Sequence, residues 1–142
     1  MIVSTTRFGD VDIPEEQMIN VPDGLLGFEG VQEYCLIPYA QDSPFTWLQA
    51  VTEPALAFIV INPFTFFSDY DFDISDGDVE RLEFSSIQDV AVLSIVTIRQ
   101  NDVTANLVGP VIVNRRNRLA KQIVLSDSRY TTRHSIAGVA SK

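Results

Sequence analysis

Residues 56–74 read LAFIVINPFTFFSDYDFDI, and two kinds of strand pattern lie side by side in this one span. Leu56 to Asn62 is an apolar run rich in β-branched and aromatic residues, which reads as a buried strand. Asn62-Pro63-Phe64-Thr65-Phe66-Phe67 then stacks three phenylalanines beside a strictly alternating stretch, with Tyr70, Phe72 and Ile74 to one side and Asp69, Asp71 and Asp73 to the other. A period of two predicts a half-buried strand over Tyr70–Ile74 with an acidic outer face.

Working outward, the same signals recur along the chain. Strands are predicted over Ile2–Arg7, Gln17–Val21, Tyr34–Pro38, Trp47–Val51, Val90–Arg99, Thr104–Asn114 and Leu119–Leu125. Turn chemistry separates them: Phe8-Gly9-Asp10 can close a hairpin, Pro22-Asp23-Gly24 sets a turn, and Asn114-Arg115-Arg116-Asn117 is a loop between apolar strands. Ser75-Asp76-Gly77-Asp78 reads as a capping box opening a helical turn or two through Val79 and Leu82, and Ser86 with Asp89 repeats it more weakly. The fold class expected is all-β, a small antiparallel β-barrel with one or two short helical turns, formed by residues 1–142 as a single domain.

The aspartates invite a calcium loop, which needs oxygen ligands at positions 1, 3 and 5, glycine at 6 and Glu at 12. Both frames fail. With Gly77 as the turn glycine, Phe72 and Ile74 fall on ligand positions; with Asp71 first, Asp76 replaces the glycine and Leu82 the glutamate. No metal and no cofactor are expected.

Catalytic chemistry is equally thin. The only histidine, His134, lies beyond the last predicted strand and reads as a surface residue. With one His and one Cys, no His/Cys metal cluster can form, and no GxSxG, phosphate-loop or dinucleotide glycine pattern occurs. Cys35, in the apolar run Tyr34-Cys35-Leu36-Ile37, reads as a buried inert thiol in a reducing cytoplasm. The N-terminus has no apolar core of signal-peptide length, and the longest apolar run, Ala55 to Ile61, is too short to span a bilayer. An enzyme using carboxylates alone has no constellation to stand on.

The net charge of −9 conceals a polarity: residues 1–90 carry seventeen acids and two bases, residues 91–142 two acids and eight bases. The basic group Arg115, Arg116, Arg118 and Lys121 could touch phosphate, as in an oligonucleotide-binding barrel, but it lacks the interleaved aromatics that single-strand binding uses. The favoured reading is that the two signs pair across one surface. Two apolar features, Gly24-Leu25-Leu26-Gly27-Phe28 and the phenylalanines of 62–67, read as core plugs, with an aromatic docking patch rimmed by acids as the alternative.

Taken in order, GLLGF (24–28), SPFTWLQA (43–50), LAFIVINPFTFFSDYDFDI (56–74), DVAVLSIVTI (89–98), TANLVGPVIVN (104–114), KQIVL (121–125) and YTTRH (130–134) resemble the flagellar assembly factor family FliW over nearly the whole chain. The resemblance implies a non-catalytic, cytoplasmic β-barrel that binds flagellin and also the translational regulator CsrA, freeing flagellin mRNA from repression when flagellin is depleted. It implies no direct nucleic-acid or membrane partner and a monomer when free. Against that background, the partner-binding residues expected are the acids Asp69, Asp71 and Asp73 together with Phe66, Ile98 and Val103, the last two flanking the Gln100-Asn101-Asp102 hairpin.

Overall fold

A computed structural model describes residues 1–100 and 102–136. Eleven strands are present among them: β1 (Ile2–Thr5), β2 (Gly9–Asp12), β3 (Met18–Asn20), β4 (Glu33–Pro38), β5 (Thr46–Ala50), β6 (Ala57–Ile61), β7 (Val90–Arg99), β8 (Asp102–Ala105), β9 (Val111–Asn114), β10 (Ala120–Gln122) and β11 (His134–Ser135). Two short helices, α1 (Pro63–Phe66) and α2 (Asp76–Arg81), lie between β6 and β7. The main sheet is antiparallel with order β10-β9-β7-β6-β5-β4-β3, and β8 pairs with both β7 and β11.

The ten-residue strand β7 organises this sheet. Its first half pairs with β9 (Val92 opposite Ile112), its middle with β6 (Val60 opposite Ile95), and its second half with β8 (Ile98 opposite Val103). Alternate residues then feed opposite faces. Val60 and Val111 enter an inner core with Tyr34, Leu48 and Leu25, whereas Ile61, Val92 and Ile112 enter an outer core with Tyr70, Leu107 and Ile136. Cys35 and Ile37 point to a third cluster closed by Val3 and Ile13 of the β1–β2 hairpin. Both faces are therefore covered, which is why strands such as β9, buried at all four positions, read as continuous apolar runs. Burying one such side chain contributes about 1.5–3 kcal/mol.

Three expectations are corrected. The sheet does not close into a barrel: its edge strands β3 and β10 are not paired as a ladder, and between the two edges the chain makes one parallel bridge, Asn20 with Leu119, with the Asn20 N–H donating to the Arg118 carbonyl at 3.0 Å. Thr104–Asn114 is two strands. Pro110 has no N–H to give a ladder, and the Asn106 carboxamide oxygen accepts from the Val108 and Gly109 amides at 3.1 and 2.9 Å, turning the chain between β8 and β9. Tyr70–Ile74 carries no regular secondary structure and joins no sheet. The alternation was real, since Tyr70 is buried, Phe72 and Ile74 half-buried and the three aspartates exposed, but packing alone produces it.

The N-terminal prediction is also shortened. Ile2–Arg7 ends at Thr5, whose hydroxyl accepts from the Phe8 amide at 2.7 Å and donates to the Gly9 carbonyl at 2.9 Å, so that β2 returns as a hairpin partner. The caps read from sequence are in place. The Ser75 hydroxyl accepts from the Asp78 amide at 3.1 Å to open α2, and the Ser86 hydroxyl accepts from the Gln88 amide at 3.2 Å to open a 3-10 turn, Ile87–Asp89.

Candidate functional site: an acidic segment beside an aromatic groove

The segment between β6 and α2 is built by local chemistry. The Asn62 side-chain oxygen accepts from the Phe64 amide at 3.0 Å and Pro63 takes the first helical position, so a single turn of α1 forms at the end of β6. The Tyr70 amide then donates to the Phe67 carbonyl at 3.0 Å, and the Tyr70 ring drops into the outer core, where its hydroxyl donates to the Leu107 carbonyl at 2.7 Å. Burial pushes that hydroxyl's pKa up, so it stays a neutral donor.

With Tyr70 anchored and Phe72 and Ile74 packed on the same core, Asp69, Asp71 and Asp73 project outward. Among the described residues no cation lies within salt-bridge distance of them. The nearby Arg129 is held by Asp127, whose carboxylate accepts from its guanidinium at 2.7–3.1 Å. Those hydrogen bonds hold the Asp127 carboxyl below the usual carboxylate range. Beside the acids runs a groove of about 470 Å³ lined by Phe66, Phe67, Asp69, Arg129, Tyr130 and His134.

The remaining expected site residues are only partly gathered. Phe66 and Val103 both pack against the outer core. Ile98 pairs with Val103 across the β7–β8 hairpin but stands outside that cluster, 49% exposed. Asn101 lies outside the described residues. His134 is not the free surface residue expected: it is half-buried on β11 opposite Ala105, with its ring edge-on to Phe67 at 5.1 Å. Tyr130 and Leu107, which sequence reasoning passed over as site residues, hold the segment in place; an isolated tyrosine after Asp127-Ser128-Arg129 carries no local signal of a partner 59 residues away.

The other candidate features resolve differently. Lys121 bonds Asp78 at 2.6 Å, and Arg116 reaches Asp89 at 3.7 Å and the Glu83 carbonyl at 2.6 Å, so half of the basic group pairs with acids of the N-terminal part as the charge pattern predicted. In GLLGF, Leu25 plugs the inner core while Leu26 is 55% exposed and Phe28 rests edge-on against Phe58 at 5.2 Å. Within the aspartate stretch Asp76–Arg81 forms α2, and no three metal-ligating side chains gather among the described residues. No helix there is long and apolar enough to cross a membrane.

Fold and surface together define a small, mostly-β protein with an open, doubly covered sheet and an unneutralised acidic segment beside an aromatic groove. The family model described as "FliW protein" matches residues 2–136. The chain is similar to the flagellar assembly factor FliW of Bacillus subtilis (strain 168), 46% identical over 140 residues covering 97% of this chain and 98% of the relative. It is 45% identical over 130 residues to that of Magnetococcus marinus, covering 89% and 80%. A crystal structure of the flagellar assembly factor FliW superposes with a TM-score of 0.86 at 36% identity, covering 96% of both chains. The chain belongs to the FliW family of flagellar assembly factors.

Proposed function

We propose that this protein acts without catalysis in the cytoplasm, as a partner-switching factor that binds flagellin and, when flagellin is depleted, binds the RNA-binding regulator CsrA and relieves repression of flagellin mRNA. The observation that carries the reading is the row Asp69, Asp71 and Asp73, exposed and without a cationic partner among the described residues, next to Phe66 and an aromatic groove. Such a surface suits a basic, RNA-binding protein, and apolar contacts through Phe66, Val103 and Ile98 would supply what charge does not.

Magnitudes divide the work. One pair of like charges ~10 Å apart in water costs about 0.4 kcal/mol before screening, so several carboxylates near an RNA path sum to about 1–2 kcal/mol. That is close to a tenfold loss of RNA affinity, and the remainder comes from apolar contact. A nucleic-acid-binding role for the protein itself has less support, because Lys121 and Arg116 are already engaged by Asp78, Asp89 and the Glu83 carbonyl.

Titrating flagellin into a preformed complex with CsrA tests the switch. Release of CsrA as flagellin saturates is the expected result; a stable ternary complex at saturating flagellin would contradict it.

A further inference from the structure

The acidic segment belongs to no strand or helix, so its backbone lacks the row of ladder bonds that holds a sheet strand in place. At Asp71 one side chain takes the place of a neighbouring strand. The Tyr130 hydroxyl accepts from the Asp71 amide at 2.9 Å and donates to the Asp71 carbonyl at 3.1 Å, satisfying both backbone groups of the central residue of the acidic row.

This clip is part of a closed set of contacts. The Tyr130 ring sits edge-on to Tyr70 at 4.8 Å, the Tyr70 hydroxyl donates to the Leu107 carbonyl at 2.7 Å, and the Leu107 amide donates to the Thr131 carbonyl at 3.1 Å. The Arg129 guanidinium lies over the Tyr130 ring, 5.1 Å from its centroid. The C-terminal arm carrying these residues is tethered in turn by β11 on β8 and by the Ile136 amide, which donates to the Val103 carbonyl at 2.9 Å. Nothing else on the arm hydrogen-bonds to residues 69–74 among the described residues.

We infer that Tyr130 is a positioning residue for the acidic face, and that docking of the C-terminal arm presents Asp69, Asp71 and Asp73 as one rigid row to a basic partner surface. The inference rests on the docking role proposed above for that face. A row held in advance loses little freedom when a partner arrives, whereas a released segment must be ordered on binding, which weakens association. An effector that lifts the arm would then weaken binding at the acids without touching them.

The test uses Tyr130→Phe, which keeps the ring packed on Tyr70 and removes only the hydroxyl. In the free protein, hydrogen exchange at the Asp71 amide should speed up by about tenfold while the melting temperature stays within a few degrees. Calorimetry of CsrA binding is then run on the parent, Y130F, the triple variant Asp69→Ser, Asp71→Ser, Asp73→Ser, and the two combined. Y130F should weaken binding by about three- to tenfold in the parent and add no further loss to the triple variant, the signature of a residue acting through the acids. Equal losses in both backgrounds, or unchanged exchange at Asp71, would overturn the positioning role. A failing triple variant beside a Y130F that binds like the parent also sinks that role alone, whereas a triple variant with full affinity sinks the docking reading and the positioning role with it.

Discussion

Asn114, wholly buried at the end of β9, donates from its carboxamide to the Leu82 carbonyl at 2.8 Å and to the Glu83 carbonyl at 3.2 Å, so a strand end grips the C-terminus of α2. Its side-chain oxygen meanwhile accepts from the Arg116 amide at 2.9 Å, shaping the β9–β10 turn. Asn114→Ala would remove these bonds from a buried place; the Asn117 carboxamide and the Arg116 guanidinium still reach the Leu82 and Glu83 carbonyls at 3.2 and 2.6 Å, but the Arg116 amide loses its acceptor, at a cost of about 1–2 kcal/mol. Urea denaturation should show that loss with an unchanged slope; a loss under about 0.5 kcal/mol would mean that water replaces the carboxamide.

Gly24 and Gly27 both have left-handed backbone, φ +70° and +86°, but only Gly24 is also crowded: an added Cβ would stand 2.5–2.7 Å from the backbone of Glu29. Gly27→Ala should cost about 1 kcal/mol, the price of the left-handed conformation alone. Gly24→Ala should cost at least about 2 kcal/mol more and lift Leu25 from the inner core. Equal melting temperatures for the two variants would show that the loop simply moves.

The hydrogen bond from Lys121, opposed by burial and aided by the Ser75 hydroxyl, lowers the pKa of Asp78. With the folded value depressed, the unfolded chain takes up the proton first as pH falls. The stability this pair contributes is therefore present above the ordinary aspartate value of about 4 and is lost as pH drops through the folded pKa. Asp78→Asn should lower stability by about 1 kcal/mol at neutral pH, a few degrees in melting temperature, and the gap to the parent should close as the pH falls through the folded pKa. A gap that persists in acid would trace the loss to packing instead.

Replacing Asp69, Asp71 and Asp73 by serine removes charge from an exposed row while Tyr70, Phe72 and Ile74 keep the segment on the core. Stability should change by less than about 0.5 kcal/mol per site. Affinity for CsrA should fall about tenfold and lose much of its salt dependence, with most flagellin affinity retained. Calorimetry at two salt concentrations decides, and unchanged binding at both would reduce the acids to a solvated surface.

Much of this protein was legible in one dimension because the signals are local. Apolar patterning placed β4, β5, β6 and β7 to within a residue or so at each end, capping chemistry placed α2 and the 3-10 turn at Ile87–Asp89, and ordered segments from GLLGF to YTTRH pointed to the FliW family that the comparisons establish. The same patterning correctly sorted Asp69, Asp71 and Asp73 from Tyr70, Phe72 and Ile74, since alternation reports which side chains face the core. It could not report whether a strand lies alongside. Backbone pairing is a property of two segments, and the partner of Asp71 is a tyrosine hydroxyl rather than a strand. Likewise only the tertiary structure decided that the sheet stays open at β3 and β10, that His134 is packed against Phe67, and that Asn114 closes α2. Each depends on contacts between residues dozens of positions apart, where neither periodicity nor propensity carries information.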